Sequence, residues 1–401
     1  MDNELKTFSQ SFTEARRKFV EASKASACDV ATFEFPGGRS AFGEEMSIDV
    51  CRSGAKDADV VLLTMSGTHG GEGFCGSAIQ THVMRAGLMS HLPDGVAVVQ
   101  IHAVNPFGMA HYIRTNEDNV DLNRNWIDFR NVPATDPIYD KVFGALPPAR
   151  APSPELLNEH LDAFAASIEK YGRWEVDNAL SSGQFHRPDG IGFGGVRPAW
   201  SRTILEKILS EMIGPARHVV YIDWHSLLRI GDGRVIYLCF NQTGDHLFDR
   251  VGTWWGHSNI ARETVNAQWR TGTSAGARRP ARHGLAMWGI QQRLARSADL
   301  AGAVVEFCTQ PDEHRSPDVC TAYETICERY LQASRDFLSP AGSEAVDMLR
   351  EATCPKSRSF RIGAIKAGSH VFENALRGAA EWSKENVAAR PGHIVLSSEF
   401  A

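Results

Sequence analysis

Short β-branched apolar runs alternate along this chain with longer stretches in which apolar residues recur at helical spacing. Four runs stand out: 59–65 (DVVLLTM), 95–101 (GVAVVQI), 218–223 (HVVYID) and 302–307 (GAVVEF). Each is nearly continuous and too short for a helix, as expected of strands covered on both faces of a largely parallel sheet. Helical spacing predicts helices at 75–89, 154–170, 201–213, 318–337, 343–352 and 362–382. Residues 5–25 likewise place Leu5, Phe8, Phe12, Phe19 and Val20 near one helical face. The alternation predicts a single α/β layer fold. Pro and Gly cluster at 131–154 and 181–198, which read as loops over the surface or around a site. No repeat, linker or low-complexity segment divides the chain. Residues 1–401 therefore read as one domain, with a core at about 5–382 and a polar tail at 383–401.

Composition narrows the function classes. With 43% hydrophobic and 22% charged residues, the chain can build a sizeable core. A net charge of −6 argues against a broad nucleic-acid or anionic-membrane surface. No apolar run reaches the roughly 18 residues of a membrane helix, and the polar start MDNELKTFSQSF lacks the apolar region of a secretory signal. The eight cysteines are scattered without a C-x-x-C pair, so reduced thiols in the cytoplasm are expected. Nothing in the sequence speaks to oligomeric state.

Chemistry enters at the ends of the predicted strands. The first is followed by Ser66-Gly67-Thr68-His69-Gly70-Gly71-Glu72, and the second by His102 and then Asn105-Pro106. The third ends in Asp223 and continues Trp224-His225-Ser226; the fourth carries Glu306. Ligands of open α/β sheets bind outside the carboxyl ends of strands, so four such ends predict one site. His69-x-x-Glu72 can aim an imidazole and a carboxylate at one point, and His225 supplies a third donor. Both donor types bind zinc at about 2.0–2.2 Å, and a two-His, one-Glu set leaves a fourth position for water, the catalytic pattern. The plainer alternative is a loop histidine and a glutamate capping the helix at 75–89.

The segment 105–126, NPFGMAHYIRTNEDNVDLNRNW, adds a resemblance. Val120-Asp121-Leu122-Asn123-Arg124-Asn125-Trp126 resembles the Asp-x-Asn-Arg motif of the zinc carboxypeptidase superfamily, the carboxypeptidase A-like enzymes. The order His-x-x-Glu, Asn-Pro, Arg, Asn-Arg, distant His and late Glu is also similar. SGTHGGEGFCGS, SSGQFHRPDGIGFGG and EFCT resemble a bacterial branch of carboxypeptidase-like hydrolases, related to aspartoacylase and succinylglutamate desuccinylase.

The resemblance implies a mixed, mostly parallel eight-stranded sheet flanked by helices, one zinc ion and hydrolysis of an amide or peptide bond next to a free carboxylate. It implies that His69, Glu72 and His225 bind the metal. Glu306 would act as general base toward metal-activated water, and Arg114 would stabilise the oxyanion. Asn123 and Arg124 would hold the substrate carboxylate, since a planar guanidinium grips carboxylate bidentately. Tyr237 is the only tyrosine between His225 and Glu306 and so the only candidate there for a substrate-capping residue; its alternative is a core strand position in RVIYLCF. His186, in QFHRPDG, is a site-wall residue or a solvated loop histidine. Arg114 and Asn123 lie nine residues apart, an interval shorter than in digestive carboxypeptidases and longer than in the desuccinylase branch. The substrate therefore stays open between a short peptide and an N-acyl amino acid or other small amide.

Two rival classes remain. Gly71-x-Gly73-x-x-Gly76 fits the dinucleotide fingerprint of an NAD-binding oxidoreductase, but no acidic residue follows the second strand. The other rival is a carboxypeptidase-like binding module without catalysis.

Overall fold

The computed structural model describes residues 2–226, 235–239, 245–263, 269–271, 282–294, 297–309 and 316–388. Among the described residues nine strands form one sheet: β1 (Asp29–Arg39), β2 (Glu45–Ser53), β3 (Val60–Ser66), β4 (Val96–His102), β5 (His218–His225), β6 (Val235–Cys239), β7 (Ile260–Glu263), β8 (Trp269–Thr271) and β9 (Asp299–Phe307), in the order β1-β2-β4-β3-β5-β9-β6-β7-β8. The four apolar runs are its centre, β4-β3-β5-β9, and every neighbouring pair among them is parallel.

The mostly parallel, eight-stranded expectation needs correction. Four of the pairings among these nine strands are parallel and four antiparallel, so the sheet is mixed. The additional strands flank the central four, and their apolar code is weaker: β2 is buried but interrupts its apolar residues with Ser47, Asp49 and Arg52. β1 is largely exposed, and β7 and β8 have four and three residues. A continuous apolar run marks burial on both faces, and edge strands do not have it.

Alternate side chains of the central strands enter two cores. Leu62, Val220, Ile222, Ala303 and Val305 face one side with the helices Gly73–Arg85 and Arg358–Ala388. Leu63, Met65, Val219, Tyr221 and Val304 face the other with Trp200–Met212 and Ala286–Leu294. Several helix starts follow directly from sequence. Ser153-Pro154, Ser316-Pro317 and Ser339-Pro340 each put a hydroxyl on the N–H three residues on, at 3.1–3.3 Å, and a proline at the first helical position.

The loop expected at 131–154 contains a short helix, Tyr139–Ala145, whereas 181–198 holds no strand or helix beyond its first residue. Residues 383–388 continue the last helix rather than open a tail, and 389–401 lie outside the described residues. No helix of the described residues is long and apolar enough to cross a membrane.

Candidate functional site

β3, β5 and β9 run side by side in parallel, so their carboxyl ends meet. Ser66 pairs with Trp224 in register, and His225 pairs with Glu306. Asp223 and His225 lie two apart on one strand and share a face. The loop after β3 brings His69 and Glu72 over the same edge, and Glu72 stands at the N-cap position of the helix Gly73–Arg85 without a side-chain capping bond, where the positive end of the helix dipole favours a carboxylate.

Glycine makes that loop possible. Gly70 and Gly71 donate their N–H groups to the carbonyls of Arg114 and Ile113 at 3.2 and 3.1 Å, stitching it to the loop after β4. A Cβ on Gly70 would stand 2.0 Å from the carbonyl carbon of Gly108. Gly70→Ala must push two backbones apart, and a loss of at least about 1–3 kcal/mol is expected in urea denaturation, the scale of core overpacking. Asn105 secures the second loop: its Oδ1 accepts the Gly108 N–H at 2.9 Å, and its Nδ2 donates to the Arg114 carbonyl at 3.2 Å. The Asn-Pro turn thus sets the position of Arg114.

His69, Glu72 and His225 are brought together, all buried, with one donor atom from each within 4.8 Å of the others. Both imidazoles turn Nδ1 toward the glutamate: His69 lies 2.8 Å from Glu72 Oε1 and His225 2.9 Å from Oε2. Both also have a carboxylate behind the other nitrogen. His69 Nε2 lies 3.2 Å from Asp121 Oδ1, and His225 Nε2 lies 3.0 Å from Asp223 Oδ2. Asp223 is in turn held by the hydroxyls of Thr68 at 3.0 Å and Tyr221 at 3.3 Å. Burial opposes charge throughout this cluster, but opposite charges outweigh it. His69 and His225 hold Glu72 well below the usual carboxylate range, and Asp223 and Glu72 raise His225 well above the usual imidazole value.

Arg114 joins the cluster. Its Nη1 donates to Glu72 Oε1 at 3.4 Å, and its Nε and Nη2 donate to Asp121 Oδ2 at 3.2 Å. Glu306 is 8% exposed, and its Oε2 has no hydrogen-bond partner among the described residues. Burial, opposed by His225 and reinforced by Glu72, raises its carboxyl above the usual range. Arg124 Nε and Nη2 donate to the Ser181 carbonyl at 3.1 and 2.8 Å, and its Nη1 donates to the Asn123 carbonyl at 2.7 Å, which fixes the guanidinium plane. Asn123 Oδ1 accepts the Ala286 N–H at 2.8 Å. A cleft of about 990 Å³ opens onto this edge, lined among others by Glu72, Arg114, Arg124, Arg282 and Glu328.

Three candidates are not brought here, Tyr237 and His102 from strands and His186 from the 181–198 loop. Tyr237 is buried in the core on the opposite face, its ring stacked on Trp255 at 5.0 Å. His186 bonds Thr135 and Asp140 on the half-exposed loop surface. His102 stacks on Phe19 at 4.7 Å and meets Ser77 Oγ at 2.9 Å, and burial pushes it down to about 4. The fingerprint glycines are packing residues. A Cβ on Gly71 would stand 2.8 Å from the Tyr112 carbonyl oxygen, one on Gly73 2.9 Å from Gly67 Cα, and one on Gly76 2.7 Å from Trp224 Cβ. Among residues outside the initial site reading, Asp223 was findable from its i, i+2 relation to His225. Glu328 was not, because nothing distinguishes it from any other helix glutamate.

Residues 8–367 match the family described as "Protein of unknown function (DUF2817)". No curated protein matches the sequence. The solved structures similar to this one include a carboxypeptidase A from Helicoverpa armigera, at 15% identity and TM-score 0.45 over 94% of this chain and 74% of the other. They also include a succinylglutamate desuccinylase from Chromobacterium violaceum, at 14% identity and TM-score 0.34 over 79% and 74%. A third is a metallo-carboxypeptidase from Pseudomonas aeruginosa in complex with (2-guanidinoethylmercapto)succinic acid, at 13% identity and TM-score 0.35 over 84% and 69%. These are members of the superfamily that the sequence motifs resemble.

Proposed function

The chain belongs to the family described as "Protein of unknown function (DUF2817)", and we propose that this member is a one-zinc hydrolase, a single catalytic domain that cleaves an amide bond next to a free carboxylate. One observation carries the reading: two buried imidazoles turn one nitrogen each to Glu72 and rest the other against a carboxylate, Asp121 or Asp223. For His69 that backing is a hydrogen bond, which fixes the tautomer and orientation of a metal-ligating histidine; for His225 it is an ion-pair contact at 3.0 Å outside hydrogen-bond geometry, which supports the ring by charge. The donor set of two imidazoles and one carboxylate fits zinc in a catalytic site.

Zinc held by His69, Glu72 and His225 would supply Lewis acidity, polarising a carbonyl and lowering the pKa of water toward about 7. The remaining work falls to the chain's own groups. Glu306, buried and unbonded at Oε2, takes a proton from the attacking water and passes it to the leaving amine. Arg114 places N–H donors where negative charge develops on the carbonyl oxygen. Arg124, with its plane fixed by backbone carbonyls, holds the substrate carboxylate, aided by the amide of Asn123. His186 and Tyr237 have no part in this scheme. The bond cleaved is that of a peptide C-terminus or of an N-acyl amino acid, which share the carboxylate the clamp reads. The cytoplasm is the proposed setting, in keeping with the free thiols of Cys51, Cys75 and Cys327.

A panel of C-terminal dipeptides and N-acyl amino acids, assayed with and without chelator, tests the proposal. Turnover of at least one member is expected, lost on chelation and restored by zinc. Turnover that ignores the chelator would contradict it.

A further inference from the structure

The helix Pro317–Ser334 is fastened to the loop that carries Arg114. Its apolar side, with Cys327 and Leu331, packs into the same core as Ala110, Tyr112 and Ile113. Beside that seam stand Glu328, Gln332 and the capping residue Arg335, at the four- and three-residue spacings that share a helix face. Each reaches the segment 114–117 in turn. Glu328 Oε1 accepts the Arg114 backbone N–H at 2.7 Å. Gln332 Nε2 donates to Thr115 Oγ1 and, at 3.3 Å, to the Asn116 carbonyl. Arg335 Nη2 donates to the Glu117 carbonyl at 2.6 Å.

The first of these bonds bears on the site. The Arg114 carbonyl is already held by the Gly70 N–H and by Asn105 Nδ2, both at 3.2 Å. With Glu328 on its N–H, the peptide groups on both sides of the Arg114 Cα are pinned. The guanidinium, bonded to Glu72 and Asp121, is therefore aimed from a fixed base.

We propose that Glu328 is a positioning residue, which fixes the backbone from which Arg114 meets the oxyanion. Its place in a reaction rests on the amide-hydrolase reading; the bond to the Arg114 backbone does not. Donors that stabilise a developing charge work because they are already in place and need no reorganisation as the reaction proceeds. A displacement of about 1 Å at such a group can cost about 10²-fold in rate. Losing the anchor would be felt where the oxyanion forms, whereas the substrate carboxylate rests on Arg124, which is held by other carbonyls. The deficit should then fall on kcat and spare KM.

The test substitutes Glu328 in three ways. Glu328→Ala removes the acceptor. Glu328→Asp keeps the charge but falls one methylene short. Glu328→Gln keeps the reach and an acceptor oxygen without the charge. Kinetics are measured on zinc-loaded protein, with the member of the dipeptide and N-acyl amino-acid panel that the parent turns over fastest. Glu328→Ala and Glu328→Asp are expected to lose about 10- to 100-fold in kcat, with KM and zinc affinity unchanged. Glu328→Gln should return close to the parent. Where Glu328→Ala does not fold, Glu328→Asp against Glu328→Gln carries the comparison. Hydrogen exchange of the Arg114 amide, followed by NMR on the same proteins, should be slow in the parent and Glu328→Gln and faster in the other two. Parent-like kcat in Glu328→Ala and Glu328→Asp, a loss confined to KM, or Glu328→Gln as impaired as Glu328→Ala would overturn the assignment. So would an Arg114 amide that exchanges equally in all the proteins. Failure of the hydrolase reading looks different: no chelator-sensitive turnover by the parent, with the exchange pattern intact, which removes the catalytic role of this bond together with that of Arg114.

Discussion

Glu306→Gln is expected to lower kcat by about 10²- to 10⁴-fold, the usual loss when a positioned general base is removed. The substitution preserves volume and polarity and removes only the capacity to take up a proton. Glu306 sits at the end of a buried parallel strand, paired in register with His225, with Oε2 unbonded. In the metal-free protein, stability should move the other way. Burial leads the upward shift of the Glu306 carboxyl, so the folded state binds this proton more tightly than the unfolded chain. Stability contributed by the protonated form is present below the unfolded pKa and is lost as pH rises through the folded one. Above the folded pKa the buried carboxylate opposes folding, and the neutral amide relieves it. Turnover and a thermal melt on one preparation check both halves. Activity equal to the parent would remove Glu306 from the mechanism.

The second large effect is loss of metal on His225→Ala. His225 is 2% exposed, and its two nitrogens lie beside Glu72 and Asp223. Truncation removes a ligand and leaves two buried carboxylates without the cation between them. Deleting one partner of a buried ion pair typically costs about 3–5 kcal/mol, so the apo variant should also melt lower. Asp223→Asn is the graded counterpart. It keeps the ligand and weakens its support, for an expected loss of about 10- to 100-fold in zinc affinity. Competition with a chromophoric chelator measures both. Parent-like affinity in His225→Ala would exclude it as a ligand.

What could be read from the sequence follows the physics of burial. β3, β4, β5 and β9 are covered on both faces, so their codes are continuous apolar runs, and polar residues at their ends point to the site. β1 and β8 were missed because edge strands need no such run, and β2, though buried, interrupts its own with Ser47, Asp49 and Arg52. Sequence order alone could nominate His69, Glu72, His225 and Glu306, since strand ends in a parallel sheet converge. It could not separate Tyr237, a strand residue of the wrong face, from a site residue; a single step in register decides that. Nor could it show that Asp223 stands behind His225 or that Glu328 reaches the Arg114 backbone, a contact across 214 residues made by tertiary packing alone.

The central claim is that His69, Glu72 and His225 hold one catalytic metal ion. Calorimetric titration of zinc into chelator-stripped protein tests it most directly. The account predicts a single tight site per chain in the parent and none in His225→Ala. No binding by the parent, or the same isotherm in both proteins, would contradict it.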